Sequence, residues 1–260
     1  MIAVLPPDLV PAVNSEVRKV STLRASRILA ALIPAVALVA STVTVLLAGP
    51  ADPKSNPATG AATIGLYIGL AVAIALAGAF GAAGAGAEYR YATMPTTALF
   101  TSDRDRLVAA KFLVTAGFAL AATFVVELIA FACLLGFGRG KFDFGVRLLA
   151  VLGGGLLAAV CWSLIGAGLG LLLRTSTTAV VAMLGWLVII EPLIWVVAKA
   201  IGFAGVVTVL PGSATVSTVA VGSFKDSDFL APTPAALVVL ILWTIATAGG
   251  AWWLLRTRDI

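Results

Sequence analysis

The residues whose types and spacing could support chemistry crowd into one stretch, "GAAGAGAEYRYATMPTTALFTSDRDRLVAAK", at residues 81–111. Clustered glycines can cradle a phosphate, because backbone N–H groups reach an anion where no Cβ intervenes. A Walker-type loop also needs a lysine and a hydroxyl residue directly after its glycines, at the start of a helix that follows a strand. Here Gly81, Gly84 and Gly86 lead into Glu88, and the next lysine is Lys111. The dinucleotide pattern fails as well, since these glycines close an apolar run instead of opening a soluble helix. The chain is expected to bind no nucleotide itself. It has no histidine, no intramembrane His/Asp metal cluster and no Gly-x-Ser-x-Gly turn, so neither a catalytic residue nor a metal site is expected.

Two acids, Glu127 and Glu191, interrupt long apolar runs, each about ten residues from a run's end, hence roughly 15 Å deep at about 1.5 Å per residue. A carboxylate at that depth costs a few kcal/mol on insertion scales, about 2.5–3.5, and should face a bundle interior or water. Three roles fit: lining the path of a cationic or amphipathic substrate, passing protons, or locking helices together through Ser/Thr neighbours. Pro192 removes a backbone donor beside Glu191 and can bend its helix to open a polar recess. Cys133 and Cys161 fall at different depths in different runs and read as packing residues.

What must position these groups is a membrane bundle. Of 260 residues, 61% are hydrophobic and 11% charged, and the mean hydropathy is +1.10; a soluble domain carries about a quarter charged residues. The formal charge of +5 is small and dispersed, which excludes a nucleic-acid binder. The first apolar run follows a long charged leader without a cleavage pattern, so no signal peptide is expected. Six runs reach the roughly 20 residues a bilayer requires: 28–49, 61–87, 107–137, 146–173, 178–201 and 235–255. With the N-terminus inside, eleven basic residues fall on the cytosolic side (Arg18, Lys19, Arg24, Arg27, Arg90, Arg104, Arg106, Lys111, Arg174, Arg256, Arg258). Six fall outside (Lys54, Arg139, Lys141, Arg147, Lys199, Lys225), so both termini are expected in the cytosol. The Arg139/Lys141/Arg147 cluster runs against that bias. Trp252 and Trp253 ahead of Arg256 suit an anchor at the inner interface.

Gly65, Gly69, Ala73, Ala77, Gly81 and Ala85 recur every four residues in the second run, and Gly155, Ala159, Ser163 and Ala167 in the fourth. Such faces let helix backbones approach closely where lipid supplies no hydrophobic drive. Ahead of the first run, residues 11–27 read as an interfacial helix capped by Asn14, with Val13, Val17 and Val20 on one face and Glu16, Lys19 and Arg27 elsewhere. The chain thus divides into a leader with this helix (1–27) and a six-helix membrane domain (28–260).

The polar segment 88–106 is long for a connection. Thr93, Met94 and Pro95 resemble a helix start, 96–100 can form a short helix, and Ser102-Asp103 can cap the third span. Tyr91, Met94, Leu99 and Phe100 suit a partner's hydrophobic cleft, with Glu88, Arg90, Asp103, Arg104, Asp105 and Arg106 as charge pairs around its rim.

Taken in order, "SEVRKVSTLRASR" (15–27), "GAEYRYATMPTTALFTSDRDRLVAAK" (86–111), "EPLIWVV" (191–197), "LPGSATVSTV" (210–219) and the terminal "RTRD" resemble the ABC-2-type permeases of bacterial ATP-binding cassette exporters, nearest their high-GC branch. The resemblance implies an all-α integral membrane fold of six spans, a cytosolic connecting helix, a coupling helix between spans 2 and 3, and short re-entrant outer helices between spans 5 and 6. It implies ATPase-coupling residues among Glu88, Tyr89, Arg90, Thr93, Met94, Pro95, Leu99, Phe100, Asp103 and Arg104. The family's glutamate, basic residue and threonine map onto Glu88, Arg90 and Thr93; Ala92 stands where many members have glycine. It implies separate ATPase subunits that carry ATP and Mg, a second permease subunit, a lipid environment and the bacterial plasma membrane. A proton-coupled secondary transporter using Glu127 and Glu191 is the alternative, although such transporters show internal repeats and the two halves here do not resemble each other.

Overall fold

The computed structural model describes residues 6, 9–50, 57–90 (of Arg90 the backbone alone), 104–224 and 227–257. A short helix α1 (Val10–Thr22) comes first. The long helices α2 (Arg24–Leu47), α3 (Ala61–Tyr89), α4 (Arg104–Phe137), α5 (Val146–Leu173) and α6 (Ser176–Ala200) follow. A short α7 (Pro211–Val219) then precedes the last long helix, α8 (Thr233–Thr257). Six of these helices are long and apolar enough to cross a membrane, and no strand occurs among the described residues. The chain is an all-helical, multi-pass membrane protein.

Successive long helices alternate in direction, which gives the bundle two ends. One gathers α1, the last turn of α3, the first turn of α4, the α5–α6 turn and the last turn of α8. The other gathers the connections around 57–60, 138–145 and 201–232. The α1 end holds most of the buried charge.

Small residues decide the packing. α3 and α5 form the centre and α6 the periphery. A Cβ added at Gly81 would strike the Ser163 carbonyl, one at Gly166 the Gly78 carbonyl, and one at Gly170 the Ala82 carbonyl. The expected four-residue stripe of α3 does not stay on one partner, however. A four-residue step overshoots a 3.6-residue turn by about 40°, so the stripe winds around the helix. Gly65 meets Ser41 and Thr44 of α2, Gly69 meets Ala37 and Val126, and Gly81 meets α5.

Three expectations change at the helix ends. The first span begins at Arg24 instead of 28, because Leu23 is extended (ψ 130°) and ends α1 at Thr22. The Arg27 guanidinium donates to the Ser21 and Thr22 carbonyls, satisfying acceptors that a helix C-terminus leaves open. Asn14 caps nothing and lies exposed inside α1, whose buried residues are Val13 and Glu16, while Val17 is exposed. Between α6 and α8, where short re-entrant helices were expected, Ala204–Val209 is a 3-10 turn and Pro211 opens α7. A proline at that position costs no hydrogen bond, since the first N–H groups of a helix have no internal partner. Pro192 has its effect one turn back: Trp186–Ile190 is a π-helical turn just before Glu191.

Candidate functional site

Four charged side chains converge at the α1 end. Glu88 closes α3 and Lys111 lies in the second turn of α4, on either side of the 91–103 segment. Lys111 Nζ donates to Glu88 Oε1 at 2.8 Å and to Glu16 Oε2 of α1 at 3.1 Å. Lys19 of α1 donates to Glu88 Oε1 at 2.7 Å and to Glu16 Oε1 at 2.6 Å. Glu16, Glu88 and Lys111 are all buried. A charge taken out of water costs several kcal/mol unless it is paired and hydrogen-bonded, and here two ammonium groups and two carboxylates cancel. Burial by itself would lower the Lys19 pKa, but hydrogen bonds to Glu16 and Glu88 outweigh it and leave the value raised.

The far side of the 91–103 segment is fastened too. Arg104 Nη1 donates to the Leu255 carbonyl at 3.0 Å. Asp105 accepts from Trp252 Nε1 at 2.8 Å and from Arg256 Nε at 2.7 Å, with a second Arg256 contact through Nη2. The last turn of α8 therefore grips the first turn of α4. Tyr89 lies under the Arg174 guanidinium, 5.6 Å from ring centroid to Cζ. Arg174 adopts a left-handed conformation (φ 56°) that ends α5, so the two-residue turn into α6 sits against the end of α3.

Of the residues expected to couple to an ATPase, the structure brings Glu88, Tyr89 and Arg104 to this platform and places the Arg90 backbone at its edge. Thr93, Met94, Pro95, Leu99, Phe100 and Asp103 lie outside the described residues, as does the expected coupling helix itself. Sequence reasoning passed over Glu16, Lys19 and Lys111 as site members. It counted Lys19 and Lys111 as topology charges and set Glu16 only away from the valine face of the interfacial helix. The available signal was a lone lysine, Lys111, four residues inside an apolar run.

The two deeper acids have different surroundings. Glu191 of α6, 1% exposed, accepts from Gly212 N at 2.9 Å, Ser213 N at 2.6 Å, Ser213 Oγ at 3.3 Å and Trp186 Nε1 at 3.1 Å. It satisfies the first N–H groups of α7 and sits where the helix dipole favours negative charge. Glu191 precedes the end of α6 by about 13 Å at about 1.5 Å per residue, so the α6–α8 connection dips that far back along the bundle. Pro192 lies beside this contact, and the recess it was expected to open is filled by α7. Glu127 of α4 is buried beneath α5, where a Cβ on Gly155 would come within 3.0 Å of its Oε1. That oxygen and the Thr123 hydroxyl one turn away have no hydrogen-bond partner among the described residues.

Comparisons of the chain with protein families, with curated proteins and with solved structures found no match.

Proposed function

We propose that the chain is the transmembrane permease subunit of an ATP-driven exporter of the ABC-2 type. It would form half of a substrate pathway with a second permease subunit and take its motion from separate ATPase subunits that hold ATP and Mg. The observation that carries this reading is the rooting of both flanks of the 91–103 segment. The cluster of Glu16, Lys19, Glu88 and Lys111 joins its leading edge to α1 and α4. Arg104 and Asp105 join its trailing edge to α8. A partner that pushes on this segment thereby moves four helices together, including the central α3. Such a push selects between bundle conformations only if the partner's contact differs between nucleotide states. The α1 end and both termini are cytosolic in this reading, in a bacterial plasma membrane.

Replacing 93–100 by a Gly/Ser linker is expected to abolish ATPase association while the six spans stay folded. Stoichiometric copurification of the ATPase with that variant would refute the assignment. The proton-coupled alternative draws on Glu127, whose Oε1 lacks a partner among the described residues; Glu191 is occupied as a helix cap. Transport by ATP-depleted vesicles under a pH gradient would select that alternative.

A further inference from the structure

We propose that the groove between α3 and α7 holds one acyl chain of an anionic lipid, with the lipid phosphate at Arg147. The inference goes beyond the exporter reading and does not depend on it. The groove has a volume of about 440 Å³, inside the roughly 300–1,000 Å³ range of small-ligand sites. Its walls are apolar: Ile64, Ala71 and Ile74 on α3 face Val216 and Val219 on α7, with Tyr67 among them. From Ile64 to Ile74 the groove runs about 15 Å at about 1.5 Å per residue. That is the depth of one leaflet of a hydrocarbon core about 30 Å thick.

The bundle-end closure of the groove is polar on its far side. Ala220 and Phe224 separate it from a second recess of about 270 Å³ that carries Ser217, Gly222 and Thr233. Arg147, exposed in the first turn of α5, stands beside both. Its Nη1 donates to the Ala58 carbonyl at 3.3 Å, next to the groove residue Pro57, and its Nε is 3.2 Å from where a Gly222 Cβ would lie. No carboxylate among the described residues pairs with Arg147. Apolar slot, hydroxyl-bearing recess and guanidinium follow in the order of acyl chain, polar linker and phosphate. A two-fold contact between copies over this groove would bring the two Arg147 guanidinium groups toward one another, so the charge favours lipid over a second chain.

The test uses full-length protein in mild detergent, titrated with phosphatidylglycerol or phosphatidylcholine of identical acyl chains, with bound lipid counted by native mass spectrometry. A preference of about fivefold for phosphatidylglycerol is expected, the size a single interfacial cation supplies. Arg147→Gln should erase that preference and keep phosphatidylcholine binding. Ala71→Phe, which fills the slot from an exposed position, should weaken both lipids. The proposal is overturned if wild type shows no preference, if Arg147→Gln keeps it, or if Ala71→Phe binds as wild type does. It is equally overturned if Ala71→Cys forms a disulfide-linked dimer despite excess phosphatidylglycerol, because a second copy then covers the groove; Cys133 and Cys161 are buried and do not interfere.

Discussion

Lys19 and Glu88, 69 residues apart in the chain, meet at 2.7 Å. The contact joins a helix lying outside the spans to the last turn of the central span, one residue pair before the 91–103 segment begins. Glu88 also receives Lys111 at 2.8 Å, so one carboxylate ties together α1, α3 and α4. Removing it leaves Lys111, 4% exposed, with Glu16 alone.

Glu88→Ala should therefore cost about 3 kcal/mol, the scale for stripping one partner from a buried pair. The double variant Glu88→Leu/Lys111→Met removes one charge of each sign and leaves the Lys19–Glu16 pair balanced. Most of the loss should be recovered, a non-additivity that marks direct contact. Thermal unfolding in detergent measures the loss, and hydrogen exchange of α1 amides locates it. Equal destabilisation by both variants would show that packing, not charge balance, holds α1 in place.

Alkaline pH should loosen the same attachment. Lys19 has a raised pKa because its hydrogen bonds to Glu16 and Glu88 outweigh burial. Its contribution is complete below the value of an unfolded lysine, about 10.4, and is lost as pH rises through the folded value. Because Lys19 is partly exposed, the effect should stay within about 1 kcal/mol. Protease susceptibility of the α1–α2 junction should rise above pH 10 in wild type. Lys19→Arg, whose charge persists, should move that onset upward.

The bundle was legible in the sequence because each span is a run of some twenty apolar residues, and lipid rewards little else. What escaped was whatever depends on a partner far along the chain. Glu16 looks solvated when α1 is read alone; it is buried because Lys111, 95 residues away, neutralises it. The start of α2 at Arg24 escaped because a helix continues past the edge of its apolar run wherever its charges reach water. Glu191 was visible as a deep acid, and "LPGSATVSTV" at 210–219 as one of the stretches that carry the resemblance. Nothing local says that the second supplies the donors for the first.

That pairing can be tested by crowding it. Glu191→Ala strands the Gly212 and Ser213 N–H groups and should cost about 2–3 kcal/mol, the scale for hydrogen bonds to a charged acceptor. Gly212→Ala should also destabilise, since its Cβ would lie 2.7 Å from the Glu191 carboxylate. In the Glu191→Ala background the same Gly212→Ala change should cost little, because the space is vacated. Unfolding midpoints of the two single variants and the double variant decide this. Additive losses would mean that α7 is held by something other than Glu191.

Glu127 calls for the opposite expectation. Its Oε1 and the Thr123 hydroxyl are buried without hydrogen-bond partners among the described residues, and an unsatisfied buried acceptor costs about 1–3 kcal/mol or more. Replacing the acid by an apolar residue of similar size relieves that cost. Glu127→Leu should raise the unfolding midpoint, by about 1–3 kcal/mol in stability, where Glu191→Ala lowers it. A buried acid near mid-depth is by default a functional-site hypothesis; under the exporter proposal, substrate transport by Glu127→Leu protein reconstituted with its ATPase subunits should fall even as stability rises. If Glu127→Leu instead destabilises the bundle, the carboxylate is a helix lock like Glu191 and has no transport role to explain.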